Sequence, residues 1–331
     1  MEIQIIAYGA EGVVHNETIT PEAPRPVVTV PTADLRVALQ RAGKIAEDVS
    51  KSRYYNPCSD KPGLTHLVYL RTVSGFGTNN KRILQVSATN RALVATSNVL
   101  TTDAVDLPDI HIDQRRIAGV VKYLRECGAK TTELTTDADG DLWICPGVGN
   151  AKLVGEREPT SHATVCVGNH AKDAGELAMS NIEKMFDLGA YPANGCAELD
   201  KVAVKQLKDL VRPSKGAYDN RTAIRFETDA VLGVFADKSG AGEIVGGTCS
   251  RIDELRILMV KSGSLWKLLQ CVDTGGVRLG FHRSVCGKNG MTGADRYMDA
   301  LTAVDGMTRV LCVADDRTHE VTGEDTMPKA A

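Results

Sequence analysis

Aromatic side chains are scarce in this chain: Phe, Trp and Tyr make up 5% of its 331 residues. Its cores must therefore be built mainly from Val, Leu, Ile and Ala. Paired cysteines are missing too. None of the nine cysteines forms a CxxC pair, and an odd, unpaired set excludes a disulfide framework and a zinc ribbon as organising devices. No run approaches the roughly 18 apolar residues that cross a bilayer. Residues Met1 to Ala10 lack the basic region and long apolar centre of a secretion signal. A soluble protein of a reducing cytoplasm, without a membrane partner, is expected; the sequon Asn16-Glu17-Thr18 then carries no meaning. Charge of one sign is not in excess either. The formal net charge is −3, so a nucleic-acid surface would need its cations gathered on one face.

Signatures of chemistry are also absent. No HExxH, GxSxG or GxGxxG occurs, and the seven histidines stand at no ligand spacing from a cysteine or from one another. Asp137-Ala138-Asp139-Gly140-Asp141 looks like the start of a calcium loop. Counted from Asp137, however, the positions that need Gly and Glu hold Leu142 and Val148, so a hairpin turn is the better reading. Gly147-Val148-Gly149-Asn150-Ala151-Lys152 lacks the spacing and the Ser/Thr of a phosphate loop. No enzyme, metal or cofactor is expected.

What is present is one pattern written twice. A Pro-rich lead (20–31) runs into a helix that Thr32 could cap, with Leu35, Leu39, Ala42, Ala46 and Val49 at helical spacing. Strand-like runs follow at 65–73, 82–88 and 92–97. Asp113 caps a second helix that buries Ile117, Val120, Val121 and Leu124 and stops near Gly128. A hairpin turning at Asp139-Gly140 closes the first copy. In the second copy, 199–211 reads as a helix burying Val204, Leu207 and Val211, and strands follow at 222–228 and 230–236. ADRYMDALTAV (294–304) reads as a helix ended by Asp305-Gly306, before a hairpin turning at Asp315-Asp316. Repetition of one supersecondary unit indicates a duplicated domain, here 1–180 and 181–331, the second with an insertion around 240–290. Within that insertion SLWKLLQC (264–271) has helical spacing that suits either a core helix or a partner-binding one.

The basic residues follow the repeat. Lys201, Lys205, Lys208 and Arg212 fall on one helix face, opposite Val204, Leu207 and Val211. Arg115, Lys122 and Arg125 lie away from Ile117, Val121 and Leu124, with Arg116 at the border. Arg41, Lys44 and Lys51 line the exposed side of the first helix, diluted by Asp48. A single mixed helix face is ordinarily just solvated. Three at matching places suggest a surface for phosphates, where binding is independent of base sequence and weakens with salt. No aromatics interleave these cations, which argues against single-strand stacking. The expected fourth helix, with Arg296 beside Asp295 and Asp299, does not share the basic face.

At this point the chain resembles the β subunit of bacterial DNA polymerase III, the sliding clamp. The carriers are Tyr297-Met298-Asp299-Ala300-Leu301, Val304-Asp305-Gly306 and the ending Met327-Pro328-Lys329-Ala330-Ala331. Weaker ones are Ala88-Thr89-Asn90-Arg91-Ala92-Leu93, the turn Glu227-Thr228-Asp229 and the linker Asn181 to Phe186, which lacks the family's Pro. The resemblance covers most of 27–140 and 181–328. It implies an α+β clamp fold of two duplicated domains, helices lining a hole and antiparallel sheets outside. The family has three such domains per chain and this chain has room for two, so a six-domain ring needs a homotrimer, as in the eukaryotic proliferating-cell nuclear antigen. A phage or plasmid replication system would suit such a chain. The implied partners are duplex DNA, a polymerase and a clamp loader that dock short peptides in a pocket at Met327 and Pro328, with Phe186 and Leu188 as neighbours. Two other readings compete: a clamp-like regulator or decoy that forms no ring, and an enzyme on an unrelated duplicated fold.

Overall fold

The computed structural model describes residues 3–9, 12–19, 26–47, 63–74, 82–147, 165–169, 195–212, 221–226, 231–236, 240–245, 248–251, 257–272, 276–288, 295–306 and 308–313. A separate hairpin, β1 (Ile3–Gly9) with β2 (Gly12–Ile19), precedes the rest. The remainder is one unit, strand–helix–three strands, written four times. The first unit is β3 (Val27–Pro31), α1 (Thr32–Ile45), β4 (Leu67–Ser74), β5 (Arg82–Thr89) and β6 (Leu93–Leu100). The second is β7 (Ile110–Asp113), α2 (Gln114–Cys127), β8 (Thr131–Thr136), β9 (Leu142–Pro146) and β10 (Val165–Cys166). The third is β11 (Gly195–Leu199), α3 (Lys201–Leu210), β12 (Arg221–Phe226), β13 (Val231–Ala236) and β14 (Gly240–Val245). After the extra strand β15 (Thr248–Arg251), the fourth is β16 (Ile257–Lys261), α4 (Ser262–Cys271), β17 (Val277–Lys288), β18 (Asp295–Asp305) and β19 (Thr308–Val313).

Units combine in pairs by exchanging lead strands. β7 pairs with β4 and β3 with β8; β16 pairs with β12 and β11 with β17. The result is a sheet ordered β10-β9-β8-β3, another ordered β14-β13-β12-β16, and a nine-stranded sheet ordered β15-β11-β17-β18-β19-β6-β5-β4-β7. The nine-stranded sheet is continuous because β19 lies antiparallel on β6, Val310 opposite Ala95. Helices pack in a row, α2 on α1, α1 on α4, α4 on α3, with α1 over β5 and β6 and α4 over β19. Sheets thus form one layer and helices the other, an α+β clamp-type architecture.

Local chemistry explains the helices. Leu35, Ala38, Leu39, Ala42 and Ile45 give α1 one buried stripe, as apolar residues spaced three and four apart do on any surface helix. Asp113 Oδ1 accepts from Arg115 N at 2.8 Å and Asp200 Oδ1 from Ala203 N at 2.8 Å, capping α2 and α3. Gly128 ends α2 at φ 61°, a left-handed position that suits glycine. A Cβ on Gly43 would stand 2.8 Å from Ile117 Cγ2, so glycine there lets α1 and α2 touch. Thr32 is not a cap: Pro31 holds that place, and Thr32 is the first helical residue. Its hydroxyl is buried against Thr132 Oγ1 at 2.8 Å, and Ser262, first in α4, meets Thr222 Oγ1 at 2.8 Å in the same way.

One expectation is overturned. Residues 294–304 are not a helix: they form strand β18, and Asp305-Gly306 turns it into β19. Asp-Ala-Leu favours helix locally, but β18 is the middle strand between β17 and β19. Leu301, Thr302 and Ala303 are consecutively buried, so the polar–apolar alternation that marks a strand is erased. The fourth helix is α4, inside the stretch read as an insertion, and its Leu265, Leu268 and Leu269 are wholly buried. The expected domain boundary near 180 and the turn at Asp315-Asp316 lie outside the described residues.

The junction of β6 with β19 carries a polar lock. Arg41 of α1 donates from Nη1 and Nη2 to the Asp305 carboxylate at 3.1 and 3.0 Å, and also to the Thr308 hydroxyl, which meets Ser97 Oγ at 2.9 Å. The side chains of Arg41 and Asp305 are 17% and 6% exposed. Removing one member of a buried, bidentate pair strands the other charge and costs about 3 kcal/mol. Asp305→Ala should therefore lower the unfolding midpoint by several degrees. Arg41→Lys should recover only part of the stability of Arg41→Ala, because an ammonium cannot make the fork. Thermal denaturation of the variants checks both; unchanged midpoints would show the lock to be energetically idle.

Candidate nucleic-acid interface

The helix row turns its outer face away from the sheets, and that face is basic. Helix α1 carries Arg36, Arg41 and Lys44 against Asp34. Helix α2 carries Arg115, Arg116, Lys122 and Arg125 against Glu126, and α3 carries Lys201, Lys205 and Lys208 against Asp209. Helix α4 carries Lys267 and no acid, with the exposed Lys261 just before it. All four helices are thus net positive in a chain whose formal charge is −3. The apolar stripes on the opposite sides, packed on the sheets, fix which side faces outward.

The anticipated cations do not all stand alike. Lys44, Arg115, Lys122, Arg125, Lys201, Lys205 and Arg212 are exposed, and Lys208 is half-buried. Among the described residues no ion pair engages Arg125, Lys201, Lys205 or Arg212. Lys122 sits 3.7 Å from Glu126 one turn on, a solvated pair worth a few tenths of a kcal/mol. Arg115 folds back on Asp113, its own helix cap, and Lys44 Nζ donates to Gln270 O across the junction of α1 with α4. Arg41 belongs to the lock with Asp305 and is turned inward. Arg116 donates to Val167 O, tying α2 to the end of β10. Lys51 and the four residues of the anticipated peptide pocket, Phe186, Leu188, Met327 and Pro328, lie outside the described residues.

Lys261, Lys267 and Arg36 are not among the cations that helical spacing in the sequence singles out. The signal was there for α4, since SLWKLLQC has helical spacing. The helix-like composition of 294–304 fills the place of the fourth helix and leaves 264–271 to an insertion. With α4 in that place, the gap in the basic row closes.

Among the described residues, the thiols and the phenol with clearly shifted values move away from reactivity. Burial pushes the Cys271 thiol up to about 11, against the pull of Lys44 and Arg41, and the Cys312 thiol up to about 12. Burial, with a hydrogen bond to Cys127, raises Tyr123 to about 12. Each shift disfavours the reactive anion, the reverse of an activated nucleophile. Among the described residues no three His, Cys, Asp or Glu side chains converge to hold a metal ion.

The fold is that of bacterial sliding clamps. Compared with a DNA polymerase sliding clamp of Caulobacter crescentus the TM-score is 0.57, at 12% identity over 95% of this chain and 76% of the other. The β subunit of DNA polymerase III from Pseudomonas aeruginosa gives 0.55, at 10% identity over 94% and 74%. The Helicobacter pylori β clamp, solved with a DNA ligase peptide, gives 0.51, at 11% identity over 92% and 68%. No protein-family model and no curated protein sequence matches the chain.

Raised thiol values make a direct expectation. At pH 8, far below about 11 and about 12, Cys271 and Cys312 are almost wholly protonated and enclosed. Alkylation followed by peptide mass mapping should leave both unlabelled until denaturant is added; rapid labelling of either in the folded protein would contradict this packing.

Proposed function

We propose that the chain is a sliding clamp: copies close into a ring around duplex DNA and hold a replicative polymerase there. The observation that carries the reading is the continuous row of four net-positive helices, backed by sheets, in an acidic chain. Lysine and arginine side chains meeting phosphates release counterions, bind without regard to base sequence and let the duplex slide. Retention is then topological and needs no tight contact. The ring has six clamp domains, hence three chains of two. Lys44, Lys122, Arg125, Lys201, Lys205, Lys208 and Arg212, joined by Lys261 and Lys267, face the duplex, Arg115 with less freedom. A polymerase and a clamp loader attach by short peptides near Met327 and Pro328, with Phe186 and Leu188 beside them. The protein works in the cytoplasm, catalyses nothing and needs no cofactor. The fold likeness to sliding clamps supports this reading. The enzyme alternative gains nothing from the inert thiols.

Loading onto nicked circular DNA followed by linearisation tests the ring. A clamp stays on the closed circle and runs off once ends are free; equal loss from both substrates would leave only a clamp-like binder, the decoy reading. Changing Lys201, Lys205, Lys208 and Arg212 together to Ala should leave the fold intact, since three of the four are exposed and cost little, and Lys208 is half-buried with one long bond to Val272 O. It should flatten the dependence of log affinity on log salt by up to about 3.6, at roughly 0.9 per lost phosphate contact. An unchanged salt slope reduces the stripe to a solvated surface.

A further inference from the structure

One element stands outside the four units: the hairpin of β1 and β2. Among the described strands it forms a two-stranded sheet of its own. Two paired strands are marginally stable in water, because one pair buries too little apolar surface to offset its ordering. A solvated arm would carry charge, but β1 and β2 hold no lysine or arginine and a single acid, Glu17. Their apolar residues gather at the open end, where Ile3 lies opposite Ile19 and Ile5 and Ile6 follow. A hairpin of this composition is stable when an apolar surface supports it.

Such a surface lies where the hairpin's connection ends. The sheet β10-β9-β8-β3 turns Val28, Leu134 and Ile144 into the core beneath the helices. Strand alternation puts the rung Val27, Thr135, Trp143 and Cys166 on its other side, with Glu133 and Cys145 in the neighbouring rung. There Trp143 is half-buried, Cys166 is exposed and Val27 is 38% exposed. The outward side of the nine-stranded sheet differs: Val94 and Leu311, each between core residues on β6 and β19, are wholly buried. The indole N–H of Trp143 donates to Asp137 Oδ2 at 2.7 Å, which anchors the ring. A large aromatic fixed on a half-open sheet face is apolar area that a second layer would bury.

We infer that the β1–β2 hairpin lies over this outer face of its own chain and covers Trp143. Continuity of the chain selects the occupant. Ile19 ends β2, and Val27, a member of the outer rung, begins β3. The chain between them reaches at most about 28 Å, at about 3.5 Å per residue. Four strands span three gaps of about 4.8 Å, about 14 Å in all, so the whole face is within reach. Charge agrees with the choice. The two outer rungs hold no lysine or arginine and the hairpin holds none, so the layers can meet without burying a cation. Need is mutual as well: the hairpin lacks an apolar support, and the face lacks a full apolar cover. Two sheets packed in this way stand about 10 Å apart and share one apolar layer. The inference is independent of whether copies close into a ring.

Fluorescence tests the cover from one side and hydrogen exchange from the other. The chain has two tryptophans, so with Trp266→Phe only Trp143 emits. Ile5→Asp with Ile6→Asp in that full-length chain should shift the emission to the red and raise its acrylamide quenching constant about two-fold or more, with circular dichroism kept. Reciprocally, Trp143→Asp should speed amide exchange across residues 3–19 by about ten-fold, since a hairpin that loses its support opens more often, and should leave exchange in α2 unchanged. Quenching that is high in both chains means an open face and overturns the inference. Quenching that is low in both means that another segment, such as the chain between β9 and β10, is the cover, and overturns it too. Exchange at 3–19 that ignores Trp143→Asp does the same. Shielding of Trp143 that disappears on dilution places the hairpin on a second copy and overturns the assignment to its own chain.

Discussion

Everything in this molecule is referred to the antiparallel contact of β6 with β19. Without it the chain would be two small sheets pairs, each with an open edge. With it, nine strands form one sheet, α1 and α4 are set side by side, and four helices become a continuous row. The contact is secured twice. Backbone ladder bonds and the buried Ala95 and Val310 supply one part, and the fork of Arg41 on Asp305 the other. The network around the ion pair joins four elements, α1, β18, β19 and β6, since Thr308 and Ser97 share its hydrogen bonds. A rotation of one half against the other would break all of these together.

Much of the arrangement was legible in the chain. Asp113 marks a helix start because a short carboxylate satisfies free amide donors there. Asp139-Gly140 marks a hairpin because glycine accepts the positive φ, 82° at Gly140, that the turn imposes. The basic faces of α2 and α3 followed from spacing alone. Three things resisted. Strand β18 is buried on both faces from Ala300 to Ala303, so its period is hidden there and its composition is that of a helix. Helix α4 was seen as apolar spacing but could not be given its place while β18 occupied it. The role of Arg41 was beyond any local reading, because its partner stands 264 positions away, and a cation on a helix face looks the same whether it meets solvent or a distant carboxylate.

The correction at β18 also repairs an inconsistency. With residues 294–304 as a helix, the fourth repeat would have offered Asp295 and Asp299 to a surface otherwise basic. As a strand, β18 leads instead into the lock through Asp305, and α4 brings Lys261 and Lys267 to the helix row with no acid of its own. One reassignment thus settles both the fold pattern and the charge pattern, and local and global signals agree where they had conflicted.

Charge segregation has a consequence for where a polyanion could sit. The helices are net positive although the whole chain is net negative, so the acidic residues concentrate in the sheets and connections. On the helices the described cations outnumber the acids, so a phosphate backbone laid along them would meet opposite charge. Such a field orients without gripping, because exposed cations on flexible stems hold phosphates at high dielectric and lose strength within about 8 Å at physiological salt. Arg41, the cation best placed to grip rigidly, is withdrawn into the lock. What remains on the face is mostly lysine and solvated arginine, which makes many weak and exchangeable contacts. That is the composition a surface needs if it is to keep a duplex centred while letting it move.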